Sequence, residues 1–388
     1  MTRKTTLAVL VMLVAAPALH AQTFTFGGYV KLDVLATKYH DGAPPPEGPI
    51  RDFHFPAQIP VGGATDIFAE TTFHAKESRF HFDLTRELDN GNTLKAYVEM
   101  DFLLSAQGDE RISNSYSPRL RHFYFSYGKW LLGQTWSTFQ VVVMPEDIDF
   151  PGAADGIVFD RQPQIRFTTG PWQFSVENPE TTLEPYQGGP RIITEAATMP
   201  DIVARRNFSG DWGTFSVAGI LRRLNHQFEV DGRNDQSATL GWGFTLGAQI
   251  KVGERDDLRF HAAAGDGLGR YVAFGLSNGA VVDENLNVEA IPSYLGWIGY
   301  RHFWAKGLRT NVNVSGIRVD NDTTLTGHEV NREAYSASAN LIYSPIPELS
   351  FGLEYMSAWR KVESGASGRF DRLQFAGKYD FSFSIKKK

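Results

Sequence analysis

The stretch Ser78-Arg79-Phe80-His81-Phe82-Asp83-Leu84 carries two patterns at once. Side chains of a strand alternate between its two faces, so Arg79, His81 and Asp83 share one face and Phe80, Phe82 and Leu84 the other. In a soluble sandwich the oily face would meet a core and the charged face water. The same alternation recurs in segments of about ten residues along nearly the whole chain, the signature of strands that cross a membrane as a barrel. In Leu94–Phe102 the residues Leu94, Ala96, Val98, Met100 and Phe102 alternate with Lys95, Tyr97, Glu99 and Asp101. In Leu308–Ser315, Leu308, Thr310, Val312 and Val314 oppose Arg309, Asn311, Asn313 and Ser315. Near the end, Leu373, Phe375, Gly377, Tyr379 and Phe381 oppose Arg372, Gln374, Lys378 and Asp380.

Composition agrees. The 388 residues include 28 Phe, 14 Tyr and 37 Gly, a load that favours strands and turns over helices, and there is no cysteine to staple small domains. No internal segment is apolar and long enough for a membrane-spanning helix. At the amino terminus, Arg3 and Lys4 precede the apolar run from Leu7 to Leu19, and Ala21 offers a small residue for cleavage, with Ala16-Pro17-Ala18 as a second option. Residues 1–21 therefore read as a signal peptide and 22–388 as one barrel domain. Its removal takes the formal net charge from −6 to −8, which gives no footing for nucleic-acid binding.

Connection lengths sort into two classes. Short turns fall at 87–92, 168–172, 209–213, 253–257, 305–307 and 344–348, and long polar connections at 40–66, 104–117, 137–160, 180–199, 226–236, 266–290, 320–331 and 361–368. Outer-membrane barrels alternate short periplasmic turns with long extracellular loops in this way. The segments between them number about sixteen, starting near Thr25, Ser78, Thr93, Pro118, Trp130, Gln162, Trp172, Asp201, Thr214, Ala238, Asp257, Pro292, Leu308, Glu333, Leu349 and Arg369. The expected fold is an all-β, transmembrane, antiparallel barrel in the bacterial outer membrane. Phe80, Phe82, Val98, Phe102, Val312, Phe375 and Tyr379 are expected to face lipid, and Tyr127, Trp130, Trp172, Trp212, Trp304 and Tyr343, beside short turns, to form an aromatic girdle.

Inward-facing strand positions lean to arginine. Lys31, Arg79, Arg119, Arg121, Arg166, Arg205, Arg222, Arg259 and Arg301 stand against Asp33, Asp83, Glu99, Asp101, Glu354 and Asp380. The connection Met144–Gly156 is acidic, with Glu146, Asp147, Asp149 and Asp155. Folded inward opposite an arginine wall, it would set a transverse field at a constriction; left outside, it would be a solvated loop.

The stretches GGYVKLDVLATKYHDG (27–42), RLRHFYFSYGKWLLGQTWSTF (119–139), RQPQIRFT (161–168), MPDIVAR (199–205), LRFHAAAGDGLGRY (258–271) and LQFAGKYDF (373–381) resemble the DcaP-like outer-membrane porins. The resemblance runs through most of the mature chain. It implies a sixteen-stranded barrel, usually a homotrimer, that passes small anionic solutes such as dicarboxylates, with outer-membrane lipid and lipopolysaccharide around it. It also implies that Arg119, Arg121, Arg166, Arg205, Arg222 and Arg259 line the pore, beside Arg79 and Lys31 from the alternation. Two departures stand out: strand pattern begins soon after the cleavage site, where some relatives carry a coiled coil, and the chain ends in three lysines after Phe383 rather than in an aromatic residue.

Other chemistry finds less support. Gly275–Gly279 matches G-x-S-x-G, but a nucleophile elbow needs a helix after Ser277, and the following VVDENLNVEAIPSY reads as loop. Gly265–Tyr271 lacks the spacing and the βαβ setting of a dinucleotide loop. His74, His81 and Asp83 lack a second convergent pair for a metal, and the acidic loop lacks the full calcium pattern, so no cofactor is expected, though a loop-bound cation stays open as an alternative. The expected function is a porin rather than an enzyme. An outer-membrane barrel acting as a surface-binding protein or hydrolase is the alternative.

Overall fold

The structure, a computed structural model, describes residues 22–63, 67–104, 113–194, 199–230 and 233–387. The signal peptide expected at 1–21 lies outside the described residues, as does the middle of the 104–117 connection.

Among the described residues, seventeen strand segments form one closed antiparallel sheet. The first strand, Gln22–Tyr39, pairs along its whole length with the last, Ser367–Lys387, in a register running from Gln22 opposite Lys387 to Tyr39 opposite Phe370. Closure leaves no free edge, so every backbone ladder is satisfied within the sheet. Two segments, Phe68–His74 and Arg79–Glu87, both pair with the first strand and together form a single barrel strand, giving sixteen. Between them Ala75–Ser78 sets four residues opposite Val30–Leu32, a bulge that bends the strand and turns Glu77 toward Lys31. Ser78 Oγ fills the broken ladder, accepting from the Lys31 N–H at 3.0 Å and donating to the Lys31 carbonyl at 3.3 Å. The alternation in 78–84 thus belongs to the lower part of a longer strand, whose upper part, Phe68–His74, lies between the expected 40–66 connection and the expected strand start near Ser78.

The next five barrel strands are short: Thr93–Asp101, Arg119–Tyr127, Trp130–Trp136, Arg161–Thr169 and Trp172–Glu177 have 9, 9, 7, 9 and 6 residues. Further round, Asp201–Gly210 is followed by Gly213–Val230 and Arg233–Val252, with 18 and 20 residues. The barrel is completed by Asp256–Asp266, Pro292–Ala305, Leu308–Val319, Asn331–Ile346 and Leu349–Val362. Antiparallel pairing places the six short turns read from the sequence at the end that holds Gln22 and Lys387, and the long connections at the other.

Two expected connections are corrected. The 226–236 connection is a continuation of the Gly213–Val230 and Arg233–Val252 ribbon, because Leu224 is fully buried against a sheet outside the barrel. The 361–368 connection shrinks to a tight turn between Val362 and Ser367. That extra sheet joins Thr181–Glu184, Ile192–Thr194, Ala280–Val282 and Val288–Ala290 from two long loops, so the segment read as loop after Ser277 is a hairpin. Leu183, Leu224, Ala280, Val282 and Val288 give it a small core of its own.

The barrel wall is apolar outside. Val312 and Val314 are 48% and 51% exposed, while Asn311 and Asn313 between them are 1% and 3% exposed on the inner face. Phe82, Phe375 and Tyr379 face outward in the same way, and Phe80, Val98 and Phe102 are half-covered, Phe80 by Phe26, Phe102 and Phe381. Tyr127, Trp130, Trp172, Trp212, Trp304 and Tyr343 all project outward beside the short turns. The interior departs from the expected wet lumen over half its circumference. Val203, Ile220, Leu295, Ile317 and Val319 point inward and pack on Phe139, Val158, Leu268 and Tyr271 from the long loops, because those loops fill that side of the barrel.

Candidate pore constriction

The loop 137–160 leaves the strand Trp130–Trp136 and crosses to the opposite wall. Its acidic residues make the crossing. Glu146 accepts from Arg309 Nε at 2.7 Å and from Arg301 Nη1 at 2.9 Å. Asp147 accepts from Asn311 at 2.8 Å, Asn313 at 2.5 Å and Ser338 at 3.2 Å. Asp149 accepts from the His54 backbone N–H at 2.9 Å and pairs with Arg372 at 3.2 Å. Asp155 meets His54 Nε2 at 3.0 Å and accepts from Ser315 at 3.1 Å. Asp149 and Asp155 are buried and Glu146 and Asp147 half-buried, and each finds donors, which is what taking a charge out of water requires. Burial tends to raise Glu146, but Arg309 and Arg301 hold it below its ordinary value. Asp147 has no cation against it and burial pushes it up to about 7, in spite of the Asn313 hydrogen bond.

The loop therefore folds inward. Its acids serve as anchors on the far wall, and beneath it lies a cavity of about 270 Å³. Lys31, Arg79 and Arg121 border this cavity on one side and Glu146, Asp147 and Asp149 on the other, with Tyr29, Trp136, Phe150 and Phe159 between.

The other cations expected at the pore are distributed unevenly. Arg119 grips Asp101 through Nε and Nη2, both at 2.8 Å. Arg121, 1% exposed, bridges Glu99 at 2.7 Å and Asp101 at 2.9 Å, and Arg79 stands 3.7 and 3.9 Å from the same two carboxylates. Arg166 donates to Thr138 at 2.8 Å and to the Trp136 carbonyl, and Arg205 to the Gln140 carbonyl at 2.8 Å and to Gln173. Both brace the start of the inward loop. Arg259 donates to Asp257 at 2.6 Å and to the Met144 carbonyl at 2.7 Å, so it braces the loop from the far wall. Arg222 is buried under the long loops, donating to Asp201 and to the carbonyls of Gly267, Leu268 and Glu180.

Sequence reasoning missed Arg161, Arg309, Arg372, His54 and Glu77 as members of this region. Arg309 and Arg372 lie on faces that alternation marks as inward, but their partners come from a loop more than 150 residues away. Arg161 is the first residue of its strand and lies over Trp136 at 4.5 Å and Phe159 at 5.2 Å. Among the described residues no carboxylate lies within ion-pair distance of it, and its Nη1 has no hydrogen-bond partner. Arg79, Arg119 and Arg121 thus gather round Glu99 and Asp101, with Glu77 acting on Arg79 as well, and Arg161 stands beside this group with Asp160 next to it in the chain.

Gly275–Gly279 does not build an elbow. It runs through bends into the strand Ala280–Val282, and Ser277 Oγ donates to the Asn278 carbonyl at 3.0 Å. Among the described residues no group of three His, Cys, Asp or Glu side chains is arranged to hold a metal.

With a closed sixteen-stranded barrel and an inward loop in place, comparison with known proteins is decisive at the level of family. The model of the DcaP outer membrane protein family matches residues 47–381. The chain belongs to that family. It is an outer-membrane barrel, and its fold is shared by several solved structures. The outer membrane channel DcaP of Acinetobacter baumannii superposes with a TM-score of 0.74 at 22% identity, over 92% of this chain and 97% of that one. OmpT of Vibrio cholerae, as a loop L8 deletion mutant, gives 0.55 at 11% identity over 92% and 99%. An anion-selective porin from Comamonas acidovorans gives 0.53 at 12% identity over 93% and 100%. At these identities the likeness is one of fold. No curated protein matches the chain.

Proposed function

We propose that this DcaP-family barrel is a passive channel for small anionic solutes, dicarboxylates among them, and not an enzyme. The observation that carries the reading is the gathering of four guanidinium groups, Arg79, Arg119, Arg121 and Arg161, on one stretch of the wall, where among the described residues Arg161 makes no ion pair. A guanidinium stays charged at every relevant pH and presents a planar fork that fits a carboxylate. Where the half-buried Arg79, Arg119 and Arg161 meet pore water, each contact stabilises an anion by about 1 kcal/mol or less, enough to enrich it without trapping it. A channel needs that weakness.

Arg119 and Arg121 are poor first choices for a test, since replacing either leaves Asp101 or Glu99 without its closest cation. Arg161→Gln with Arg166→Gln removes two charges that have no carboxylate to orphan. In a salt gradient across a planar bilayer, the reversal potential of the double variant should move toward cations, and the uptake of succinate-sized anions should slow while neutral sugars pass as before. An unchanged reversal potential refutes anion selectivity.

The assembly we propose is a homotrimer, with residues 1–21 removed on export and lipopolysaccharide against the taller walls. A strand of seven residues rises about 18 Å at the usual tilt, short of the roughly 25 Å apolar band of such barrels. The five short strands between Thr93 and Glu177 therefore suit contact with neighbouring copies better than contact with lipid. A trimer form of Vibrio cholerae OmpT is among the similar structures. Cysteine pairs across exposed Phe123 and Ile165 should cross-link copies in membranes, and products no larger than a monomer would refute the trimer.

A further inference from the structure

One peptide of the inward loop is gripped at both ends. The Ile148 carbonyl accepts from Lys31 Nζ at 2.7 Å, and the Asp149 N–H of the same peptide donates to Glu354 at 3.1 Å. The Ile148 N–H donates to the other oxygen of Glu354 at 2.7 Å. Asn340 completes the clip, donating to Glu354 at 2.9 Å and to the Glu146 carbonyl at 2.8 Å. The Ile148 side chain is seated on the wall beside Ile342 and Ala376, directly over Gly352, where a Cβ would come within 2.9 Å of Ile148 Cγ1.

Glu354 is 1% exposed, and among the described residues no cation pairs with it. A lone buried carboxylate is a costly way to gain stability, and an apolar side chain of similar volume would often serve better. Its three acceptor bonds all go to loop amides or to the asparagine that holds the loop. Such a charge is best used to fix register, and the register fixed here is the edge of the cavity, where Ile148, Asp149 and Lys31 all lie.

We propose that Glu354 is the positioning residue that sets the aperture of the channel, with Gly352 as the seat that lets Ile148 lie flat against the wall. The inference rests on the channel reading and adds the element that determines pore size. Glu354 acts through the loop and does not meet the solute.

The test uses the full mature chain and three variants, E354A, E354Q and Gly352→Val, each checked for a folded barrel by its migration without heating. In E354A the loop edge is released: single-channel conductance should roughly double, with larger open-channel noise, and larger polyethylene glycols should enter. In Gly352→Val the new side chain displaces Ile148 into the cavity, and conductance should fall. E354Q should lie between E354A and the parental protein, because an amide can accept one N–H but turns its own donors toward the other. Loosened packing alone would move E354A and Gly352→Val in the same direction, so a same-sign change overturns the proposal, as does parental conductance in both. Hydrogen exchange at the amides of 146–149 is read whether or not the parental protein conducts. Protection lost in E354A supports the clip and protection retained overturns it, whereas a silent parental protein with protection lost in E354A defeats only the channel reading.

Discussion

On one side of the barrel the inner wall carries Lys31, Asp33, Arg79, Glu99, Asp101 and Arg121; on the other, near the loop end, it carries Val203, Ile220, Leu295, Ile317 and Val319. Glu99, Asp101 and Arg121 stand on short strands and Lys31, Arg79 and Arg121 border the cavity, while the apolar residues stand on strands of 10 to 18 residues and are packed with loop residues. A polar inner face keeps water beside it, and an apolar one is stable only when covered. The inward loop divides the two. It is braced at its root by Arg166 and Arg205 and moored on the opposite wall by Arg301, Arg309 and Arg372. The lumen thus holds a cavity beside its charged wall and a packed protein core beside its apolar one.

The largest effect should come from removing the divider. Deleting 144–156 takes away the mooring acids and one wall of the cavity. Single-channel conductance should rise severalfold and larger solutes should pass. Unchanged conductance would mean that the loop does not limit the pore, and the distinction between the two halves would lose its functional meaning.

A second comparison concerns stability. Leu268 is fully buried in the packed half, so Leu268→Ala should cost about 2–5 kcal/mol in an unfolding titration. Arg161→Ala in the open half gives up contacts with two rings and no ion pair, and should cost about 1 kcal/mol or less. Equal costs would show that the packed half is looser than its burial indicates.

How much of this could be read from the chain differs between the halves. Strand starts at Thr93, Trp130, Trp172, Asp201, Pro292, Leu308 and Leu349 coincide with the sequence reading, because each follows a turn or loop signal at once. Alternation marks which side chains point inward, and Asn313 and Arg372 were on that face from the start. It does not say what meets them there. The anchors of the inward loop join residues separated by more than 150 positions, and no local pattern records such contacts. The upper part of the second strand was missed because the bulge at Ala75–Ser78 breaks its period, and the long ribbon around residue 230 because its polar upper turns resemble a loop.

A third prediction sharpens the outer boundary of both halves. Lysine at Val312 would face lipid and should cost about 2–4 kcal/mol, if the position lies near the midplane. Lysine at the adjacent Asn313 would point inward toward Asp147 of the docked loop and should cost clearly less. The reverse order would shift the register of that strand by one residue and exchange its inner and outer faces.

The smallest effect expected is in the pH response of the mooring. Asp147 lies in the loop with no cation against it among the described residues, and loss of solvent pushes its carboxyl up to about 7, well above the usual carboxylate range. The docked loop therefore holds a proton that a free loop would release, and docking is strongest below the free value. It weakens as pH climbs from about 4 through 7 and changes no further above that, the sign that follows when the docked state binds more protons. Glu146 responds in the opposite sense, since Arg309 and Arg301 keep it low, so its contribution falls away only in acid. Open-channel noise should accordingly grow modestly between pH 5 and 8. In Asp147→Asn the charge that titrates is gone while an amide still accepts from Asn313 through its oxygen, so the noise should stay flat across the same range. A noise–pH curve in Asp147→Asn that matches the parental one would assign the response to another group and leave Asp147 as a neutral contact in the mooring.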